Sequence, residues 1–185
     1  MGFSKIETGI EGLAVLKPVV YPDERGYFFE SYNQKDLYEL GIKTTFVQDN
    51  QSQSTKGVLR GLHRQIVYPQ AKLVRVVQGT VYDVAVDIRK GSPTYGKYYG
   101  VTLSDKNNLQ FYIPENFLHG FLVLSDTAIF AYKVNDFYHP NDEGGIIWND
   151  PDIGIEWPLE ENNLTEQDII LSKKDVNAPR LKDLH

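Results

Sequence analysis

The sequence contains no cysteine, which excludes disulfides and thiolate metal sites and leaves the redox compartment open. It also lacks any apolar run long enough to span a membrane. The segment Met1 to Val15 is broken by charges and glycines and has no signal-peptide core. Met1-Gly2 would suit myristoylation, but Ile6 stands where that signal needs Ser or Thr. A cytoplasmic protein without membrane contact is therefore the expectation. Positive charge is in deficit: the formal net charge is −6, which argues against a nucleic-acid partner, because phosphate backbones attract basic surfaces. A small anionic ligand stays open, since a few local cations suffice to hold it. Histidine is scarce as well, with four in 185 residues.

What is present suits a globular protein. Forty-one per cent of the residues are hydrophobic, and the length allows one domain with a sizeable core. Twelve Tyr and nine Phe favour strands and offer stacking surfaces for planar ligands. No linker, repeat or low-complexity stretch divides the chain, so residues 1–185 read as one domain. One short helix is signalled by Asn33 as cap, Asp36 in the first turn, Leu37 and Leu40 as apolar positions, and Gly41 as the stop. Elsewhere the pattern is strand and turn. The run Leu73 to Ile88 places two β-branched segments around Gln78-Gly79 and predicts a hairpin. Short strands are expected at Tyr99 to Leu103, Leu109 to Ile113, Phe121 to Leu124 and Ala128 to Val134. That spacing implies a sandwich or barrel rather than an α/β fold. From about Pro140 onward the chain reads as a mostly irregular segment wrapped on the barrel, with one short helix near Thr165.

Few residues are suited to chemistry. His63 lies in Arg60-Gly61-Leu62-His63-Arg64-Gln65 and His119 in Pro114-Glu115-Asn116-Phe117-Leu118-His119. Either is a candidate ligand or base, and either is equally a satisfied structural histidine. His139 and His185 carry only the structural reading. Two histidines on separate strands resemble the cupin metal site. Pro114, Asn116 and His119 fit the spacing of its second motif, with Asn where Gly is usual, and Asn tolerates positive φ. The first cupin motif needs a second His where Gln65 stands, and no Glu follows before Asp83. At most two neutral ligands remain, too few for a tight metal site. Lys72 opens a strand of apolar neighbours, and Tyr132 shares the parity of Phe130. Alone, one is a strand-end lysine and the other a core tyrosine. A His base, a Lys and a Tyr together suit proton abstraction next to a carbonyl.

Several runs carry a family resemblance: Asp23-Glu24-Arg25-Gly26, Phe28-Phe29-Glu30-Ser31, Phe46-Val47-Gln48-Asp49-Asn50, Gly57-Val58-Leu59-Arg60-Gly61-Leu62-His63, Lys72-Leu73-Val74-Arg75, Asp83-Val84-Ala85-Val86-Asp87, His119-Gly120-Phe121 and Leu171-Ser172-Lys173-Lys174-Asp175. In this order, across nearly the whole chain, they resemble the dTDP-4-dehydrorhamnose 3,5-epimerases. The resemblance implies an all-β, cupin-like jelly-roll barrel with a few short helices, no cofactor and no metal. It implies a homodimer and a dTDP-4-keto-6-deoxy sugar as substrate. His63 would be the base, Tyr132 the acid and Lys72 the cation for the enolate. Asp175 would pair with His63 and fix its tautomer. Arg25, Glu30, Gln48, Asp49, Asn50, Arg60, His119, Glu143 and Lys174 fall on substrate-contact positions, and Tyr138 on the tyrosine that stacks on thymine. Contacts near Arg25 and Glu30 would come from the partner subunit.

The sequence departs from the family pattern at Arg64, where an aromatic is common, and at Asn116 and Leu118, where Gly and Ala are usual; these changes bear on the pocket mouth. Strict strand alternation would also put Arg60 and His63 on opposite faces, which a bulge at Gly61 would repair. The competing readings are an epimerase of one carbon, a ketoisomerase, a non-catalytic sugar-binding cupin and a metal-dependent cupin enzyme.

Overall fold

The computed structural model describes residues 2–184; Met1 and His185 lie outside them, and with them the structural reading of His185. In chain order the strands are β1 (Phe3–Glu7), β2 (Ala14–Pro18), β3 (Tyr21–Asp23), β4 (Gly26–Phe28), β5 (Gln48–Thr55), β6 (Leu59–Gln65), β7 (Lys72–Gln78), β8 (Thr80–Asp87), β9 (Tyr98–Ser104), β10 (Gln110–Ile113), β11 (Phe117–Val123), β12 (Thr127–Val134) and β13 (Glu143–Gly145). One six-stranded sheet has the order β1-β2-β10-β7-β12-β5, and a five-stranded sheet the order β13-β6-β11-β8-β9. The two face each other as an all-β, cupin-like jelly roll, with β3 and β4 standing apart as a small hairpin.

The helix α1 (Gln34–Glu39) starts where the capping residue predicts: the Asn33 side chain accepts from the backbone N–H of Lys35 and Asp36. It buries Leu37 against Phe3, Leu16 and Leu73 on the outer face of the six-stranded sheet. Among the described residues no helix is long and apolar enough to cross a membrane.

The run Leu73 to Ile88 is not a hairpin. β7 pairs with β10 and β12, whereas β8 pairs with β9 and β11 in the other sheet. Gly79 turns the chain between sheets at φ +85, and a Cβ there would stand 2.2 Å from the Thr127 carbonyl oxygen. The arch sets Val74 and Val76 opposite Val81 and Ala85 in the central core, with Phe111, Phe121 and Phe130. Burial of each such aliphatic side chain is worth about 1.5–3 kcal/mol. Paired in one sheet, the two strands would forgo those contacts across the sandwich.

From β13 onward the chain lies on the outer face of the five-stranded sheet. It forms single 3-10 turns at Glu160–Asn162, Glu166–Asp168 and Leu181–Asp183 and one short helix, α2 (Lys173–Val176). The turn near Thr165 is held by a capping box with Asp168. Ile146, Trp148, Leu164 and Leu181 cover Leu59, Leu62, Val84, Val86, Leu118 and Leu122. For this reason β11 is buried at every position and its sequence is a nearly continuous apolar run.

Candidate active site

At one end of the sandwich the sheets part around a cleft of about 430 Å³. Its walls come from the inward-facing positions of β5, β6, β7, β11 and β12, with β13 and α2 at the edge. β5 is polar throughout, alternates strictly between covered and exposed positions, and forms the edge of its sheet. Its covered side chains, Gln48, Asn50 and Ser52, lie opposite Val134, Tyr132 and Phe130 of β12.

Arg60 and His63 both face the cleft. On β11, His119 and Phe121 are two residues apart, whereas their partners on β6, His63 and Arg60, are three apart. The extra residue is a bulge. It is possible because Gly61 takes φ +130 with its Cα against β11; a Cβ there would be 2.5 Å from Gly120 Cα and 2.8 Å from the His119 carbonyl oxygen. Leu59 and Leu62 consequently share the outer face, buried under the C-terminal segment. Across the sandwich, Arg60 Nε donates to Ser54 Oγ at 3.1 Å.

His63 Nε2 lies 2.5 Å from Asp175 Oδ1, with the carboxylate almost wholly buried. Asp175 sits in the first turn of α2, whose N-cap Ser172 accepts its backbone N–H at 3.2 Å. The segment before α2 is tied to the start of β6 by the backbone bonds Leu59 N to Ile170 O and Ile170 N to Gly57 O. Thus a surface helix turn supplies the partner of a strand histidine.

Opposite His63, on the six-stranded sheet, stand Lys72 and Tyr132. Burial pushes the Lys72 ammonium down to about 8, against the pull of Asp83 and Glu143. Burial raises the Tyr132 phenol, which the Arg60 charge only partly offsets. Phe121 and Phe130, stacked at 4.1 Å, floor the space between the walls. His119 is buried and places Nε2 3.0 Å from both oxygens of Asp83. At the edge, Glu143 takes an ion pair from Lys174. Burial drives the Glu143 carboxyl up, but Lys174 and Tyr138 outweigh it and hold it low. Contact with that carboxylate in turn pushes the Tyr138 phenol up. Tyr138 is half exposed, and its backbone N–H donates to Gln48 Oε1, while Gln48 Nε2 donates to Asn50 Oδ1.

The structure thus brings His63, Lys72, Tyr132, Asp175, Arg60, His119 and Glu143 into one cleft. Lys174, Tyr138, Gln48 and Asn50 are linked to its rim through the contacts just given. Three candidates lie elsewhere. Asp49 points to the outer face of the six-stranded sheet, where it accepts from Lys133 beside a separate hollow of about 290 Å³. Arg25 is exposed on the β3–β4 hairpin, paired with Asp23. Glu30 accepts from Asn33 beside α1. His139 stacks on Tyr68 with ring centroids 4.1 Å apart. Of the departures, Asn116 adopts φ +63, the conformation that lets Asn replace Gly. Leu118 is fully buried among Leu62, Val84 and Ile146, away from the pocket mouth. Arg64 pairs with Gly144 of β13, and neither it nor Asn116 lines the cleft.

Asp83 was not among the sequence candidates, although an Asp inside Val81-Tyr82-Asp83-Val84-Ala85 at core parity is an anomaly that marks it. The Ser172-Lys173-Lys174-Asp175 spacing is likewise a helix-cap signature that locates α2. Chemically, the arrangement offers an imidazole on one wall, an ammonium and a phenol on the other, and an apolar floor. Among the described residues no three His, Cys, Asp or Glu side chains converge as a metal site needs.

Comparison with known proteins agrees in sequence and in shape. The family model described as dTDP-4-dehydrorhamnose 3,5-epimerase matches residues 7–183. The enzyme of that name from Methanothermobacter thermautotrophicus is 52% identical over 181 residues, covering 98% of this chain and 96% of its own. That from Salmonella typhimurium is 55% identical over 178 residues, covering 95% and 94%. A crystal structure of dTDP-6-deoxy-D-glucose-3,5-epimerase from Legionella pneumophila, in complex with dTDP-4-keto-L-rhamnose, superposes with a TM-score of 0.93 at 51% identity, covering 99% of this chain and 95% of that one.

Proposed function

The chain belongs to the dTDP-4-dehydrorhamnose 3,5-epimerase family, and from that premise we propose that its cleft inverts carbons 3 and 5 of dTDP-4-dehydro-6-deoxy-D-glucose to give dTDP-4-dehydro-L-rhamnose. The enzyme is an isomerase. Both protons are adjacent to the keto group at carbon 4, so removal of either gives an enolate, and protonation from the other face inverts the centre.

The observation that carries the mechanism is the distribution of groups between the two sheets. His63 stands on β6 in one sheet, and Tyr132 stands on β12 in the other. A sugar ring held between them meets a base on one face and an acid on the other. With Nε2–H donating to Asp175, His63 Nδ1 carries the lone pair that takes the proton. Lys72 stabilises the enolate oxygen as an ammonium. Tyr132 delivers its hydroxyl proton to the opposite face. General acid–base catalysis contributes about a hundredfold to ten-thousandfold, and a fixed charge at a developing oxyanion about 3 kcal/mol. Neither suffices alone, so the groups act as a unit. Arg60 and Lys174 are the cations for the pyrophosphate, with Arg suited to bidentate contact. Tyr138 is the platform for thymine, beside Gln48 and Asn50.

We further propose a homodimer, in the cytoplasm. Its support is the β3–β4 hairpin, whose six residues are all exposed, Tyr27 and Phe28 by 57% and 66%. Arg25 and, just beyond the hairpin, Glu30 would serve the partner's cleft rather than their own. Sedimentation velocity at micromolar concentration tests the dimer, and a monomer there would refute it. The reaction itself is tested by NMR of the 4-keto sugar nucleotide in deuterated water. Exchange at both carbons with inversion is expected. Exchange at one carbon would make this a single-site epimerase, and exchange at neither would make it a sugar-binding protein.

A further inference from the structure

Asp83 has no part in the mechanism above, yet it is a fully buried carboxylate behind the cleft-lining His119, on the same face of β8 as the core residues Val81 and Ala85. A charged group in such a place persists only when it is paired. Its hydrogen-bond partner is His119, with Nε2 3.0 Å from each carboxylate oxygen. His119 stands directly opposite His63 in the strand register and lines the cleft. Lys72 lines the same cleft from the other sheet.

We propose that Asp83 is a positioning residue for the epimerisation, holding His119 as the tautomer with Nε2–H on the carboxylate and Nδ1 as an acceptor for a substrate hydroxyl, and standing as the buried counter-charge of the Lys72 ammonium. The substrate part of this proposal rests on the epimerase function; the tautomer does not. An ionised carboxylate only accepts, so the ring nitrogen that meets it carries the hydrogen, and in a neutral imidazole the other nitrogen then holds the lone pair.

Charge balance supports the neutral ring. Besides β8, five strands bring titratable groups to the cleft: Lys72 from β7, Tyr132 from β12, His119 from β11, His63 and Arg60 from β6, and Glu143 from β13, with Asp175 added from α2. Asp83 is the anion that both bonds His119 and, with Glu143, pulls on the Lys72 ammonium. A proton on His119 would add a second positive charge beside the first. Burial pushes His119 down, and Lys72 and His63 push the same way against the attraction of Asp83. Burial raises Asp83, which His119 and Lys72 counter. Asp83 thereby acts on the reaction through two other side chains and touches no substrate atom itself.

The test has two arms. In the wild-type protein, ¹⁵N spectra of the histidines, with His119 assigned by the signal lost in His119→Asn, should show the Nε2–H tautomer at neutral pH. The Nδ1–H tautomer or an imidazolium overturns the proposal, and this arm needs no altered Asp83. In the second arm, Asp83→Asn keeps the shape and removes the charge. Its kcat should fall by about a hundredfold, the lower range for a positioned acid–base group, with dTDP affinity unchanged. The alkaline limb of its kcat profile should move to lower pH, because Lys72 has lost the anion that holds its proton. A folded Asp83→Asn protein with wild-type kcat and an unmoved limb overturns the proposal. A merely structural residue would lower the amount of active protein without moving the limb. Wild-type protein that exchanges neither carbon's proton would instead refute the epimerase function, leaving the tautomer to be judged by its own spectrum.

Discussion

His63 and His119 face each other at one register position of neighbouring strands, and each presents Nε2 to a carboxylate. The carboxylates differ in origin. Asp175 comes from a surface helix turn and Asp83 from the middle of a buried strand. Two imidazoles clamped by the same atom therefore stand side by side, and only His63 has a phenol opposite it in the proposed chemistry.

That asymmetry separates proton removal from proton delivery. His63→Ala should abolish both epimerisation and solvent deuterium uptake at carbons 3 and 5. Tyr132→Phe keeps the ring and its packing, so it should slow inversion while some exchange with retention persists, the proton returning from His63 to the face it left. Deuterium incorporation and stereochemistry read by NMR check both. Near wild-type exchange in His63→Ala would remove His63 from the role of base.

Lys72 sets an alkaline limit. Its ammonium, held down to about 8, is present below that pH and lost above it. The kcat profile should therefore fall as pH rises through about 8. Lys72→Met should be nearly inactive and show no such limb in whatever activity remains. A wild-type profile flat to pH 10 would show that no cation at Lys72 is needed.

Tyr138→Ala should weaken binding of free dTDP by about 1–3 kcal/mol, the scale of base–aromatic stacking. Tyr138→Phe should retain most of the affinity, since it keeps the ring and loses only the contact with Glu143. Calorimetric titration with dTDP distinguishes them, and unchanged affinity in the Ala variant would end the stacking role.

Gly61→Ala tests the bulge. A methyl group there meets Gly120 Cα at 2.5 Å, in a backbone conformation that L-residues avoid. Destabilisation of about 2 kcal/mol or more is expected in urea unfolding. Activity should fall in the folded fraction as well, because either Arg60 or His63 must leave the cleft when β6 returns to plain alternation.

Much of this was legible in the residues themselves. Asn33 announced α1, and β-branched runs announced the strands that face the core on one or both sides. His63, Lys72 and Tyr132 stood out as a set suited to proton transfer. What local sequence lacks is the identity of a strand's neighbour. Gln78-Gly79 looks the same whether the strands after it fold back within one sheet or arch across to another, and the arch is decided by what Val74 and Val81 meet in three dimensions. Asp83 is marked as an anomaly by its core parity, but its partner is not legible, since His119 lies 36 residues further along. Asp49 sits between Gln48 and Asn50 in the chain, but strand alternation turns it to the other face of its sheet.

The threading of α2 onto β6 has a consequence for synthesis. His63 emerges early, and the carboxylate that orients it follows 112 positions later. Every strand of both large sheets ends by Gly145, whereas Asp175 and the apolar cover of the five-stranded sheet, Ile146, Trp148, Leu164 and Leu181, all follow it. On the proposed mechanism the base gains its partner among the last residues made, and a product cut short before the Ser172 turn lacks both Asp175 and the Leu181 cover over Leu62.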